Sequence, residues 1–598
     1  MVHGENREIL FPRFFLDSSL LHHLQGSLKA GESRIEISVK GHQTGLVRAA
    51  LTSPLAPDGW EGDGADDVNV FWVKEKGALW TLDSRLDIKN LRFQDLQGRF
   101  VGEGLEIKTG IEGRFDAKKN RLSFKNTFES TAGEILLDRF YTDFSQNSLT
   151  MNSSGEFSQD QESWTLSPFE LQWGLLCSLK GNITVQKKEG DFRITLGLHM
   201  PPTPLVPLFA QLILEPFQTE YPALQALEIA GEISADLRLE KIRNALEARG
   251  FVSWRHGRLS HPFAKDLSLG GITMDLPIWY QKGAPTFPAQ RAITELPNTL
   301  SGTLSFQAAL PPYLPEQSLV FPLKADRNFL SVSSSTRFET TGGDILLGPI
   351  EIKDLHESPR METTLSIQHF DPGPFLATFW PRPPSGSFNT LLDPLRFQNG
   401  TIVGTGEAEA SIFGGTLTFS DLSLTGIGQG TPVFRFDAQC ENISLADLTK
   451  DTGFGKIEGI LHGHIRNVEI AYGQPQKFDL FLETIPAKGV RQRISVRAVD
   501  NIARIGGGQS PFIGAAGFIA KFLKELPYSK IGIRATLEND LFNIGGTIHD
   551  QGKEYLIKRG SFSGVDIVNQ NPDNRISFKD MMKRIKRIKP LEDASVVK

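Results

Sequence analysis

The sequence predicts a mainly β protein made of antiparallel sheet, and three observations carry that expectation. Apolar and polar residues alternate with period two along most of the chain, turn dipeptides separate the alternating stretches, and a glycine-led strand motif recurs at regular distances. In Lys530–Glu538, Ile531, Ile533, Ala535 and Leu537 share one face, with Gly532, Arg534, Thr536 and Glu538 opposite. Lys456–Arg466 sets Ile457, Leu461 and Ile465 against Glu458, His462, His464 and Arg466. Phe478, Leu480 and Leu482 form a third apolar row, and Ile494, Val496 and Ala498 a fourth. One dry and one wet face is the mark of antiparallel sheets, whereas the doubly covered parallel sheets of nucleotide-binding folds read as unbroken apolar runs.

Asp58-Gly59, Lys119-Asn120 and Asn399-Gly400 supply turn chemistry between strands. The recurring motif is clearest in Gly342–Ile352 and Gly414–Leu424, where apolar residues fall at Ile345, Leu347, Ile350 and Ile352 and again at Leu417, Phe419, Leu422 and Leu424. The three-residue step in the middle moves the pleat by one position, which predicts a bulge or bend there. Ala132–Phe140 reads as a third copy and Gly270–Met274 as a degenerate fourth, so the starts lie close to multiples of a ~70-residue unit.

Helices are expected in three places only. Leu205–Leu214 is short and apolar behind its prolines; Phe512–Leu526 ends at Pro527; Phe578–Ile588 follows Ser577 as a cap, with Asp580 at the third helical position. Proline-rich breaks at Pro201–Pro216, Pro311–Pro322 and Pro372–Pro384 interrupt the sheet. The organisation expected is an N-terminal β repeat region over 1–200, a central β region over 201–370, and a C-terminal β domain with a terminal amphipathic helix over 371–598.

Composition narrows the function classes. The chain has 598 residues, 39% hydrophobic and 22% charged, with a net charge of −6, which excludes a wholly disordered chain, a collagen-like one and a supercharged nucleic-acid binder. It carries 57 Gly and 41 Phe against 7 Tyr and 8 Trp, aromatic bulk almost without hydroxyls. Cys177 and Cys440 alone can build no cysteine framework or redox pair. No stretch reaches the ~18 apolar residues of a spanning helix, and the first residues lack a signal-peptide core.

Catalytic signatures are missing. No phosphate-cradling glycine loop is present, Gly453–Gly459 and Gly506-Gly507-Gly508 read as strand turns, and Gly560–Gly564 centres on Phe562 rather than serine. His462, His464 and Glu458 share one predicted strand face, where ordinary solvated side chains outweigh a metal site. The expectation is therefore a protein that is not an enzyme, with no catalytic residue, metal or cofactor. The segment Ser577–Lys589 carries six basic residues and one acid, with Phe578, Met581, Met582, Ile585 and Ile588 at helical spacing. Contact with an anionic lipid surface and plain capping of the last strand, charges in water, are equally compatible with it. The membrane-contact candidates are Lys583, Arg584, Lys586 and Arg587 there, with Phe512, Phe518 and Phe522 from the preceding predicted helix.

From Gly404 onward the texture is similar to a known pattern. Glu407–Leu417, with Phe413-Gly414-Gly415, resembles strand entries of the AsmA/TamB-like superfamily, and Gly455–Ile465 resembles its glycine-spaced strands. Gln492–Ile502 and Ile531–Asp540 are closest to the YdbH-like branch. This resemblance implies a long curled antiparallel repeat sheet forming an apolar trough. It implies a location in the periplasm of a double-membraned bacterium, in association with membranes, with phospholipids passing between inner and outer membranes. Partners would be phospholipids or other acyl lipids, both membrane surfaces, and a separate membrane anchor or outer-membrane partner. Relatives start with an anchor helix that is absent here, pointing to a truncated start or a separately encoded anchor.

Physical reasoning converges on the same picture. A sheet with one apolar face must hide it, and few helices are available to do so, so the sheet curls on itself or binds something apolar. The residues expected to line such a groove are Ile345, Leu347, Leu417, Phe419, Ile457, Leu461, Ile465, Phe478, Leu480, Ile531, Ile533 and Leu537. An envelope-organising or outer-membrane assembly factor is the alternative, taking peptide strands at sheet edges. A carbohydrate-active or metal-dependent β enzyme ranks below both.

Overall fold

The computed structural model describes the chain apart from residues 1–8, 11–13, 17–23, 31–34, 44, 46, 48–58, 75–78, 161, 189–190, 244, 262–265, 284–298, 328, 356–357, 378–382, 428–430, 451, 506–523, 561–563, 570–574 and 587–598. It is mainly β, with 37 strands among the described residues and few short helices. The chain divides into two units: residues Met1–Gln307 with Val320–Leu330, and Ala308–Leu319 with Ser331–Lys598.

In the first unit the ladder is a meander of long strands: β1 (Leu24–Ala30), β2 (Ile35–His42), β3 (Glu61–Lys74), β4 (Leu79–Gln94), β5 (Phe100–Asp116), β6 (Arg121–Leu137), β7 (Leu149–Ser158), β8 (Ser163–Trp173), β9 (Cys177–Lys188), β10 (Asp191–Pro204), β11 (Glu228–Ile242), β12 (Ala245–Ser260) and β13 (Ser268–Lys282). Each pairs antiparallel with the next. The alternation written into β4 is clean. Leu82, Leu86 and Ile88 are half-buried, while Thr81, Asp83, Arg85 and Asp87 are exposed. After Pro204 ends β10, the chain forms helix α1 from the contiguous pieces Leu205–Phe209, Ala210–Leu214 (wound as a π-helix) and Glu215–Phe217. Pro207 is tolerated because first-turn amides need no partner within the helix. Leu208 buries with Leu176 and Cys177, and Leu212 packs against this cluster together with Trp173, Leu179, Met200 and Ile233, so α1 roofs that end of the sheet face.

The second unit continues in the same style with β14 (Thr336–Thr340), β15 (Gly343–Leu347), β16 (Ile350–Lys353), β17 (Arg360–Phe370), β18 (Gly386–Gln398), β19 (Thr401–Ile412), β20 (Gly415–Thr425), β21 (Val433–Ser444), β22 (Ile460–Ala471), β23 (Gln474–Ile485), β24 (Glu525–Glu538) and β25 (Leu541–Gly546). Asn399-Gly400 makes the two-residue turn between β18 and β19, both residues with positive φ (49° and 70°), as the Asn-Gly signal predicts.

A line of register slips crosses this unit. They fall between Thr363 and Leu365, Leu392 and Leu395, Val403 and Ala408, Ser420 and Ser423, and Phe436 and Ala438, on successive strands. The bulge expected from the three-residue step of the repeat is therefore present in the Gly414 copy, with Asp421 at φ 53°. In the Gly342 copy the same step is a break between β15 and β16 at Gly348-Pro349. Each slip inserts one residue, so the apolar side chains before and after it stay on the same face. Ring contacts across the line record this, with Phe419 to Phe436 at 5.7 Å and Phe436 to Phe434 at 5.2 Å. The third copy differs: Leu137 pairs with Phe140, so its step is a tight turn at Asp138-Arg139 rather than a bulge.

Two expectations about the C-terminal segment are corrected. Ile494, Val496 and Ala498 do not form a strand row. Arg493–Ser495 is a three-residue strand, and Val496–Ile505 is a helix, α2. Ser495 accepts from the amide of Ala498 (3.3 Å), the cap that turns the chain helical, and Ala498 and Val499 are 0% exposed beneath it. Most of the helix expected at Phe512–Leu526 lies outside the described residues, but its end, Glu525 and Leu526, begins β24 and is extended, as is Pro527. The terminal helix is borne out as α3 (Phe578–Lys586), where the Asp580 amide donates to Ser577 Oγ at 3.4 Å.

The C-terminal core gathers Ile443, Leu445, Ile457, Leu461, Ile494, Ala498, Val499, Tyr528, Ile531 and Ile557, with Ile494 and Ile557 also 0% exposed. Glu554 is buried beside it and fully engaged. Its Oε1 accepts from the Gly546 amide (2.7 Å) and Asn569 Nδ2 (2.8 Å), and its Oε2 from Arg534 (3.0 Å). Burial pushes this carboxyl up, but the Asn569, Gly546 and Arg534 interactions outweigh it and hold the group below the ordinary 4.5. A depressed folded-state value stabilises the fold above the ordinary value, and that contribution is lost as pH falls through the lower one. Thermal melts between pH 7 and pH 3 should show Tm dropping below the ordinary carboxylate range, with a shallower drop in Glu554→Gln.

Candidate functional site

Cross-strand register assembles the site. Reading partners across the first unit gives one row: Leu28, Ile37, Trp72, Leu82, Gly113, Phe124, Gly155, Leu166, Ile183, Leu196, Leu239, Ala248 and Tyr280. The Tyr280 hydroxyl and the Trp72 indole N–H supply the only polar side-chain atoms among them. At ~4.8 Å per strand the row runs about 60 Å before twist shortens it. At Gly155 a neighbour's ring takes the space of a side chain, since a Cβ there would meet Phe124 Cζ at 2.8 Å. The pairing recurs at Gly181 under Phe169 and Gly102 under Phe93. Each of these pairs sets a phenylalanine ring in the space left by a glycine on the neighbouring strand.

Every position of that row is half-buried. Neighbouring side chains shield each other along and across strands, but a packed layer would bring them to full burial, as α1 does for Leu176 (6%) and Cys177 (7%). At one end Ile37, Val39, Val70, Trp72, Trp80 and Phe115 surround a concavity of about 530 Å³ with no polar side chain in its wall. Trp72 and Trp80 meet edge to face at 6.5 Å, and Lys74 Nζ lies 5.5 Å from the Trp80 ring. Trp164, paired with Phe157 at 4.6 Å, is 50% exposed on the same face.

The second unit repeats the arrangement. One row reads Phe338, Ile345, Ile367, Thr390, Ala408, Phe419, Ala438, Ile465, Leu480, Ala535 and Ile544. The hydroxyl of its single Thr donates to the Glu407 carbonyl (2.9 Å), so no polar atom is left facing the row. A second reads Phe388, Ala410, Leu417, Cys440, Gly463, Leu482 and Ile533. Beyond the bulge line a third reads Ile352, Met361, Phe397, Ile402, Leu424, Phe434 and Ile470.

The groove residues named from sequence therefore separate into two groups. Ile345, Phe419 and Ile465 lie in these rows half-buried, Leu347 extends the face beside Leu365, and Leu417 is half-buried but packed against the C-terminal core through the row it shares with Cys440. Ile457, Leu461 and Ile531 are buried in the C-terminal core, with Ile533 packed against it. Phe478, Leu480 and Leu537 lie under α3, whose Met581 buries among Ala535, Leu537 and Phe542. Phe578 packs its ring 5.8 Å from Phe542 and 6.1 Å from Phe478. The apolar side of α3 is thus turned onto the sheet. Lys583 is exposed and bonds Asp580 at 3.2 Å, and Arg584 and Lys586 belong to the same helix. Phe512, Phe518, Phe522 and Arg587 lie outside the described residues.

The opposite, polar face of the second unit carries a cleft of about 790 Å³ that includes Glu407, Gln439, Glu441, His462, His464, Arg466 and Phe481. His464 stacks on Phe481 at 5.4 Å. Glu458 is held by Lys456 in a separate short strand, and no group of three or more metal-ligating side chains occurs among the described residues. Both cysteines are buried and free, and burial pushes both thiols up. Among the described residues no helix is long and apolar enough to cross a membrane.

The rows of the first unit went unnamed in the sequence reading, although the alternation in Leu79–Gln94 and Arg121–Leu137 marks them. Comparison with protein-family models and with curated proteins returns no match.

Proposed function

We propose that this chain binds phospholipids through their acyl chains on the open apolar faces of its two units, and that it carries them without a catalytic step. The observation that supports this most is the unbroken, half-buried apolar row across thirteen strands of the first unit. A face of that extent is costly in water, and each methylene of a bound chain contributes about 0.8 kcal/mol when it covers it. Acyl chains suit a surface of Phe, Leu, Ile and Trp that carries few hydrogen-bonding groups.

This reading includes kinship with the AsmA/TamB-like superfamily, in its YdbH-like branch. It also places the chain in the envelope of a double-membraned bacterium, serving transfer between inner and outer membranes with a separate anchor or outer-membrane partner. Native mass spectrometry of chain purified without detergent tests the binding. Several phospholipids per chain are expected, released on solvent extraction. A lipid-free, monodisperse protein would overturn the reading in favour of an assembly role.

A further inference from the structure

We propose that the first unit recognises its lipid at the ester group, through hydrogen-bond donors set into the apolar face. This rests on the lipid-binding reading above. Ser153 lies in the cross-strand row Ile111–Asn126–Ser153–Phe169, next to the row that holds Phe124 and Leu166. Ser153 is 6% exposed, and its hydroxyl has no partner in the protein. Asn126, its direct cross-strand neighbour, accepts from Thr109 through Oδ1 at 3.2 Å, and that bond leaves its amide Nδ2 as a donor beside Ser153 in the row. Four residues along the same strand, Ser130 is 2% exposed with an unpartnered hydroxyl, and on its row Trp173 Nε1–H is likewise buried without an acceptor.

Buried donors without acceptors are costly, and here several share a face whose other side chains are mostly hydrocarbon. An acyl chain satisfies the hydrocarbon, and the carbonyl oxygen of its ester linkage satisfies Ser153 Oγ–H and Asn126 Nδ2–H. A free hydrocarbon or an ether-linked chain offers no such carbonyl. The ligand class is therefore an ester-linked acyl lipid, with the carbonyl held at Asn126 and Ser153 and its chain lying along the neighbouring row.

Competition between two lipids with one headgroup tests this. Delipidated chain is incubated with vesicles containing equal amounts of dipalmitoyl phosphatidylcholine and its dihexadecyl ether analogue, and the bound lipids are weighed by native mass spectrometry. The ester lipid should be captured about fivefold in excess, the worth of one neutral hydrogen bond. That excess should fall towards parity in Ser153→Ala and in Asn126→Leu, while the exposed polar-face control Ser123→Ala keeps it. Equal capture by the unmodified chain, or an excess that survives both substitutions, would overturn the inference and leave these donors to buried water. Capture of neither lipid would instead overturn the lipid-binding reading itself.

Discussion

Ile183→Asp combined with Leu196→Asp is expected to lower phospholipid affinity by roughly a hundredfold or more while leaving the protein folded. The two side chains face each other across β9 and β10 at the middle of the long row, and both are half-buried. Two carboxylates there keep their water when the face is bare, so folding costs little. Covering them with hydrocarbon would strip that water, at several kcal/mol for each charge or its protonation. Thr184→Asp with Thr195→Asp, a pair one residue along and on the opposite face, places the same charges without touching the row. Titration with a pyrene-labelled phosphatidylcholine should separate the two double variants, with circular dichroism showing both folded. Equal affinity in the two would mean that lipid does not lie on this row.

Ile557→Ala is expected to destabilise the second unit by about 2–5 kcal/mol, the largest stability effect of a single truncation here. Its side chain is 0% exposed and packs within the core of Ile494, Ala498, Val499 and Ile531. Removing three carbons leaves a cavity that the neighbouring elements must collapse to fill. Ile183→Ala, half-exposed on the open row, should cost clearly less. Urea unfolding monitored at both variants checks the ordering. The contrast matters because it distinguishes apolar residues that hold the fold from apolar residues that are free to bind.

That distinction was the part of the protein least legible in the sequence. Period two identified β24 correctly, with Ile531, Ile533, Ala535 and Leu537 on one side, and the Asn399-Gly400 turn was readable from two residues. The bulge at Ser420–Ser423 was visible because a strand that keeps its apolar face across a bend must skip one position. Alternation says which residues share a face, but not what lies above it. Leu537 and Ile465 look alike in sequence, yet α3 covers the first and the second stays half-exposed, because α3 arrives from forty residues further along the chain. Ile494, Val496 and Ala498 were misread for a related reason. Three positions fit period two, while Val496, Val499 and Ile502 at helical spacing after Ser495 carried the correct signal. The Phe-over-Gly pairs, and the Ser153–Asn126 pair, depend on register between strands, which sequence periodicity leaves undefined.

Depth-dependent quenching of Trp72 and Trp80 by phospholipid brominated on its acyl chains tests the central claim most directly. Both indoles line the apolar concavity of the first unit. The account predicts strong quenching when delipidated chain takes up the brominated lipid, and loss of most of that component in the Trp72→Phe, Trp80→Phe double variant. Lipid uptake with the fluorescence of these two residues unchanged would place the acyl chains elsewhere and contradict it.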